Sequence, residues 1–188
     1  MTSTVEMLLL AQSYARPPDS SYTGLASYTA VDGLGTQVIT STWTIPAMDA
    51  QPGTWYEVAS RGTGVFETAT LQLGVSLNGA APVSTVTLGA AFWAAGTQFS
   101  WFLKASAQVT ATGAAGTMIV ALEGGVCIQG ANVSSGTNNN NAAIAGNPSS
   151  QAVSTLAANT LALTAAWGAA ATGQTMTGYG SVYSRKGR

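Results

Sequence analysis

From Leu25 onward, apolar and polar side chains alternate in short runs, the period of two expected of strands that bury one face. In the run 38–45, Ile39, Trp43 and Ile45 fall on one side and Thr40, Thr42 and Thr44 on the other. Pro46 and the cluster from Asp49 to Gly53 end it with turn chemistry. Residues 54–60 read as the next strand and Arg61-Gly-Thr-Gly64 as the next turn. Leu71, Leu73, Val75 and Leu77 alternate with Gln72, Gly74 and Ser76, then meet Asn78-Gly79, the strongest short hairpin signal. Pro82 delays the return strand or places it at an edge. The longest ladder sets Phe99, Trp101, Leu103, Ala105, Ala107 and Val109 against Ser100, Phe102, Lys104, Ser106, Gln108 and Thr110. A turn over 113–117 leads into the strand 118–122. Leu161, Leu163, Ala165 and Trp167 then alternate with Ala162, Thr164 and Ala166, and a small-residue turn over 168–173 precedes a second extended run, 175–184. These last two runs are expected to pair as a hairpin that closes the sheet begun near the N-terminus.

Two stretches break the rhythm. Residues 1–24 form an expected arm. Ser3-Thr-Val-Glu6 is a capping box, and Val5, Leu8, Leu9 and Gln12 share one helical face. Pro17-Pro18 forbids continuation past Arg16, so the pattern predicts a helix over roughly 4–15 and an extended linker to Gly24. Such a helix is marginal alone in water. It is expected to dock, either on its own sandwich or on a neighbouring protein, with Val5, Leu8, Leu9 and Arg16 as the anchor. Residues 129–154 are rich in Asn, Ser and Gly and read as one long loop, a length that is uncommon without a function. The remaining 25–188 count about eight strands with short turns, an all-β fold. A jelly-roll-like β-sandwich with a short N-terminal helical arm is expected, with an Ig-like sandwich as the alternative.

Composition changes the picture in one respect. Of 188 residues only 7% are charged, and the net charge is -1, against about 25% charged in an ordinary soluble domain. A surface so poor in ions is colloidally fragile unless Ser, Thr, Asn and Gln solvate it or partner subunits cover it. Subunit contact is the favoured reading, and a secreted Thr-rich β-protein the alternative. The segment 7–11 is too short to span a membrane and no basic residue precedes it, so neither a membrane span nor a signal peptide is expected.

Two pieces carry a resemblance. One is Asn159-Thr-Leu-Ala-Leu-Thr-Ala-Ala-Trp-Gly-Ala-Ala170 with Thr175-Met-Thr177 and the closing Ser181-Val-Tyr-Ser-Arg-Lys186. The other is Trp43-Thr-Ile-Pro-Ala-Met-Asp-Ala-Gln-Pro-Gly-Thr-Trp-Tyr-Glu-Val-Ala-Ser-Arg-Gly62. Together they resemble the ends and early strands of jelly-roll modules in tailed-bacteriophage virion proteins, such as head fibres, decoration proteins and tail tips. The resemblance implies a virion structural protein made in the host cytoplasm. Its expected partners are other virion proteins, the major capsid protein foremost, and further copies of itself, as a homotrimer. A host surface glycan is the expected partner if the module sits on the tail. The family supplies no fixed functional residues.

Chemistry is sparse. There is no histidine, which removes the commonest general base and metal ligand. Cys127 stands alone, excluding an intrachain disulfide, and reads as a buried thiol. Asp49, Glu57 and Glu67 are the carboxylates to weigh as a glycosidase pair, but Asp49 falls in a turn and the other two at outward strand positions. Gly62, Gly64, Gly124 and Gly125 read as turn glycines. No enzyme, cofactor or metal site is expected, and a polysaccharide-degrading enzyme is the third reading. Trp43, Trp101 and Trp167 face inward on their ladders. Trp55, Tyr56 and Trp93 are the candidate aromatics for an interface or a stacked sugar ring. Arg185, Lys186 and Arg188 read as a solvated basic tail, too few for a nucleic-acid footprint.

Overall fold

A computed structural model describes residues 20–21, 37–39, 43–89, 95–128, 141–169, 171 and 173–187. The expected helix, with Val5, Leu8, Leu9 and Arg16, lies outside these residues, as do Trp93 and Arg188. Among the described residues every regular element is a strand. The chain order is β1 (Ser20–Ser21), β2 (Gln37–Val38), β3 (Trp43–Ile45), β4 (Trp55–Phe66), β5 (Leu71–Leu77) and β6 (Val83–Leu88). There follow β7 (Thr97–Ala111), β8 (Gly116–Ile128), β9 (Asn141–Ala145), β10 (Ser149–Val153), β11 (Asn159–Trp167) and β12 (Thr175–Lys186).

They build two antiparallel sheets. The seven-stranded sheet runs β1-β12-β4-β7-β8-β10, with β9 also on β8, and the five-stranded sheet runs β2-β11-β5-β6, with β3 also on β11. The inward faces meet in one hydrophobic core that draws on both sheets. From the first sheet come Tyr56, Val58, Phe66, Phe99, Trp101, Leu103, Met118 and Leu122; from the second come Ile45, Leu71, Leu73, Val75, Leu161, Leu163 and Trp167, all buried. Ring contacts tie the layers together. Phe66 meets Trp167 at 5.7 Å, and half-buried Trp43 meets Tyr56 at 5.4 Å and Tyr183 at 5.6 Å, in the tilted and edge-on geometries that aromatic quadrupoles prefer. This is the antiparallel sandwich that the jelly-roll and Ig-like expectations have in common.

The longest alternating run is the spine of the larger sheet. β7 pairs with β4 over Trp55–Phe66 on one side and with β8 on the other. The Asn78-Gly79 hairpin is also found: both residues have positive φ, 57° and 68°, and Ala80 N donates to Leu77 O across the turn. The return strand begins at Val83, immediately after Pro82.

Several expectations are corrected. β11 and β12 do not pair with each other. β11 enters the five-stranded sheet between β5 and the N-terminal β2 and β3, while β12 enters the seven-stranded sheet between β4 and β1. Both late strands therefore close a sheet against early segments, but in different layers. Arg61 to Gly64 is no turn: β4 passes straight through it, and the absent Cβ atoms of Gly62 and Gly64 leave room for the rings of Trp101 and Phe99. Gly124-Gly125 likewise lies within β8, where a Cβ on Gly124 would meet the backbone of Phe102 and Leu103. The loop expected over 129–154 is a loop neither at 141–145 nor at 149–153. There β9 and β10 lie end to end along one edge of β8. Small side chains suffice at that edge because only Ile144 and Val153 are fully buried there, with Ala142 packing against the core from its margin. Finally, Cys127 is exposed, not buried, because the parity that buries Met118, Val120 and Leu122 turns residue 127 outward.

Candidate binding face on the seven-stranded sheet

Strand parity decides what the outer face of the large sheet carries. The register aligns its outward residues in cross-strand rows. One row holds Lys186, Trp55, Gln108 and Ile119; the next Ser184, Glu57, Ser106 and Ala121. Beyond these lie Val182, Ala59, Lys104 and Glu123, then Arg61 with Phe102, then Thr177, Thr63, Ser100 and Cys127.

A belt of ion pairs crosses this face. Lys104 reaches Glu57 at 3.5 Å and also pairs with Glu123, while Lys186 reaches Glu57 at 2.6 Å. Burial alone would push the Glu57 carboxyl up, but the bond from Lys186, the charge of Lys104 and the Ser184 hydroxyl together hold it below the usual range. The Lys104 ammonium is held above its usual value, chiefly by its bond to Glu123.

Asp49 has a structural task at the end of the sandwich. Its Oδ2 accepts from Tyr56 OH at 2.9 Å and from Arg185 Nε at 2.8 Å. Tyr56, expected as an interface or ligand aromatic, is instead fully buried. In β4 it is the inward neighbour of Trp55, which is exposed. Arg185 and Lys186 are correspondingly no solvated tail, since both sit in β12 and are paired. Of the three carboxylates weighed for catalysis, Glu57 and Glu67 do not converge. Glu57 and Glu67 are ten positions apart along and just beyond one strand, roughly 30 Å at the strand rise. A glycosidase pair spans only about 5–9.5 Å.

On either side of the ion-pair belt lie exposed apolar side chains. Toward the end of the sandwich, Met48 and Leu156 are exposed in loops joined by the bond from Met48 N to Thr155 O, and Trp55 and Ile119 are exposed on the sheet face with Gln108 between them in their cross-strand row. On the far side, the β12 ladder slips. Gly178 pairs Gly62 and Ser181 pairs Ser60, so Tyr179 and Gly180 together oppose the single residue Arg61. This is a β-bulge, a device that bends a strand and re-aims a side chain. Gly180 supplies the positive φ, 147°, and its carbonyl accepts from Ser60 Oγ at 2.7 Å. Tyr179 is thereby turned out, 52% exposed, and its hydroxyl shares a 2.5 Å hydrogen bond with Thr63 Oγ1. Phe102, on the opposite flank of Arg61, is 51% exposed. Between these rings opens a groove of about 430 Å³, lined also by Ala59, Arg61, Gly180 and Val182. Tyr179 also borders a second depression of about 440 Å³, lined by Thr63, Val65, Gln98, Thr175 and Thr177. Sequence reasoning placed Phe102 outward by alternation but assigned it nothing. It missed Arg61, read as the start of a turn, and Tyr179, because a bulge leaves no mark in the pattern beyond one extra residue.

No family model and no curated protein matches the sequence. Among solved structures, the CBM2 module of the evolved Dit of Lactobacillus casei BL23 phage J-1 is similar over 90% of this chain and 80% of that one. The identity is 10% and the TM-score 0.28, a likeness too slight to argue from.

Proposed function

We propose that the chain is a non-enzymatic structural protein of a bacteriophage virion, a capsid-decorating or head-fibre subunit that works by contact. The arm, residues 1–24, docks it on the particle through Val5, Leu8, Leu9 and Arg16. The sandwich associates with further copies as a homotrimer. The observation that carries this reading is the exposure of the apolar side chains Met48, Trp55, Ile119 and Leu156 toward one end of the sandwich. They are exposed on a chain with only 7% charged residues, and large apolar side chains left in water on so weakly charged a surface favour burial against a partner. The pairing of Glu57 with two lysines, and of Asp49 with Arg185 and Tyr56, also supports a structural use for the carboxylates. The test is to delete residues 1–18 and follow co-sedimentation with particles. A folded β-protein that no longer attaches supports the reading; a truncated chain that attaches as before overturns it.

A second reading, a tail-associated module that binds a host surface glycan, is favoured by one observation. Two half-exposed rings, Phe102 and Tyr179, flank a groove on the outer face of the seven-stranded sheet. Mass spectrometry of separated heads and tails divides the two.

A further inference from the structure

Arg61 is singular among the described residues. Lys104, Arg185 and Lys186 all have carboxylate partners, and Arg61 has none. It is exposed, and it projects between the two outward rings that the register and the bulge set on either side of it. A guanidinium offers five donors in a planar fork that matches a carboxylate bidentately. The rings beside it give flat apolar faces, and the groove between them lies in the size range of small-ligand sites. Beneath it, Ser181 Oγ is buried without a hydrogen-bond partner. Beyond Tyr179 the surface changes character. There the hydroxyls of Thr63, Thr175 and Thr177 and the amide of Gln98 line the second depression, neutral donors and acceptors without a charge among them.

An aromatic platform, a shelf of hydroxyls and one unpaired cation lie along one continuous track. A peptide adding itself as a strand finds no free edge at Arg61, because β4 is paired on both sides there. A neutral sugar leaves the guanidinium unanswered. We propose that this groove binds an acidic polysaccharide, with a uronate carboxylate on Arg61, pyranose faces against Tyr179 and Phe102, and the next ring's hydroxyls on the threonine shelf. The inference rests on the glycan-binding reading and deepens it by naming the ligand's charge and the residues that meet it.

The test titrates the full chain by calorimetry with tetragalacturonate, with its methyl ester and with tetraglutamate. Circular dichroism checks that the exposed-site variants stay folded. Tetragalacturonate is expected to bind, Arg61→Gln to weaken it about tenfold or more as a charge-assisted bidentate bond is lost, and Tyr179→Ala to weaken both acid and ester. Added salt should weaken the acid alone. The proposal is overturned if Arg61→Gln binds the acid as the parent does, or if tetraglutamate binds as tightly. If the ester matches the acid while Tyr179→Ala abolishes both, the acidic site falls and glycan binding stands. If neither sugar binds at millimolar concentration, both fall.

Discussion

Gly62 of β4 lies directly opposite Trp101 of β7, and the Thr177 carbonyl of β12 and the indole together occupy the space that a Cβ on residue 62 would need. The indole Nε1 donates to Thr63 O at 3.3 Å, so the ring is held flat over the strand. Gly64 and Phe99 repeat the arrangement two residues along. Because the Thr177 carbonyl is backbone and cannot swing aside, replacing Gly62 by Ala should displace β12 as well as crowd the ring, at a cost of about 3 kcal/mol or more. Urea unfolding checks this, with a lowered midpoint and an unchanged slope as the expected outcome.

The Tyr56 phenol is pushed well above its usual value, first by burial and then by its bond to Asp49 and that carboxylate's charge, with Arg185 opposing. The phenolate forms less readily in the folded chain than in the unfolded one. Stability tied to this group is thus complete below about pH 10 and falls as pH rises further, where only the unfolded chain ionises. Tyr56→Phe should lose about 1–2 kcal/mol at neutral pH with the hydrogen bond to Asp49. It should also lose less than the parent between pH 10 and 11, read by thermal melts.

Glu57 has the opposite sign. Although burial raises its pKa, Lys186, Lys104 and Ser184 bring it below the unfolded value. Its contribution is complete above about pH 4.3 and is lost as pH falls through the lower folded value. Glu57→Gln should be less stable than the parent at pH 7 by about 1 kcal/mol. The gap should close in acid, where the parent's own carboxyl is protonated. Unfolding midpoints at pH 7 and pH 3 test this.

Asn78 and Gly79 form the β5–β6 turn with two positive φ angles, and Asn78 also ties the hairpin to β11. Its Oδ1 accepts from Thr160 N at 2.8 Å, and its Nδ2 donates to Asn159 Oδ1 at 2.8 Å. No neighbouring atom would crowd a Cβ on Gly79, so Gly79→Ala isolates the cost of the left-handed backbone. That cost is about 1–2 kcal/mol, measurable by urea unfolding.

Where side chains alternated strongly, the fold was legible. β5, β7 and the Asn78-Gly79 hairpin follow from parity and turn chemistry alone. Glycine was the weak point. Gly62 and Gly64 carry the same letter whether a chain turns or a tryptophan must lie flat on it, and only the partner strand distinguishes the two. The edge strands β9 and β10 hid among Asn, Ser and Gly because an edge along β8 needs few large apolar residues. Neighbours in sequence usually pair, and β11 and β12 broke that rule by entering different sheets. The candidate face was half visible: parity put Phe102 outside and should have put Tyr56 inside beside exposed Trp55. Arg61 and Tyr179 became neighbours only through a register slip.

Further copies of the chain are expected to cover exposed Met48, Trp55, Ile119 and Leu156. Light scattering on the purified full chain at micromolar concentration tests this most directly. A single species with the mass of three subunits is predicted, shifting toward one subunit when Leu156 is replaced by Glu. A monodisperse monomer for the parent chain would contradict the account.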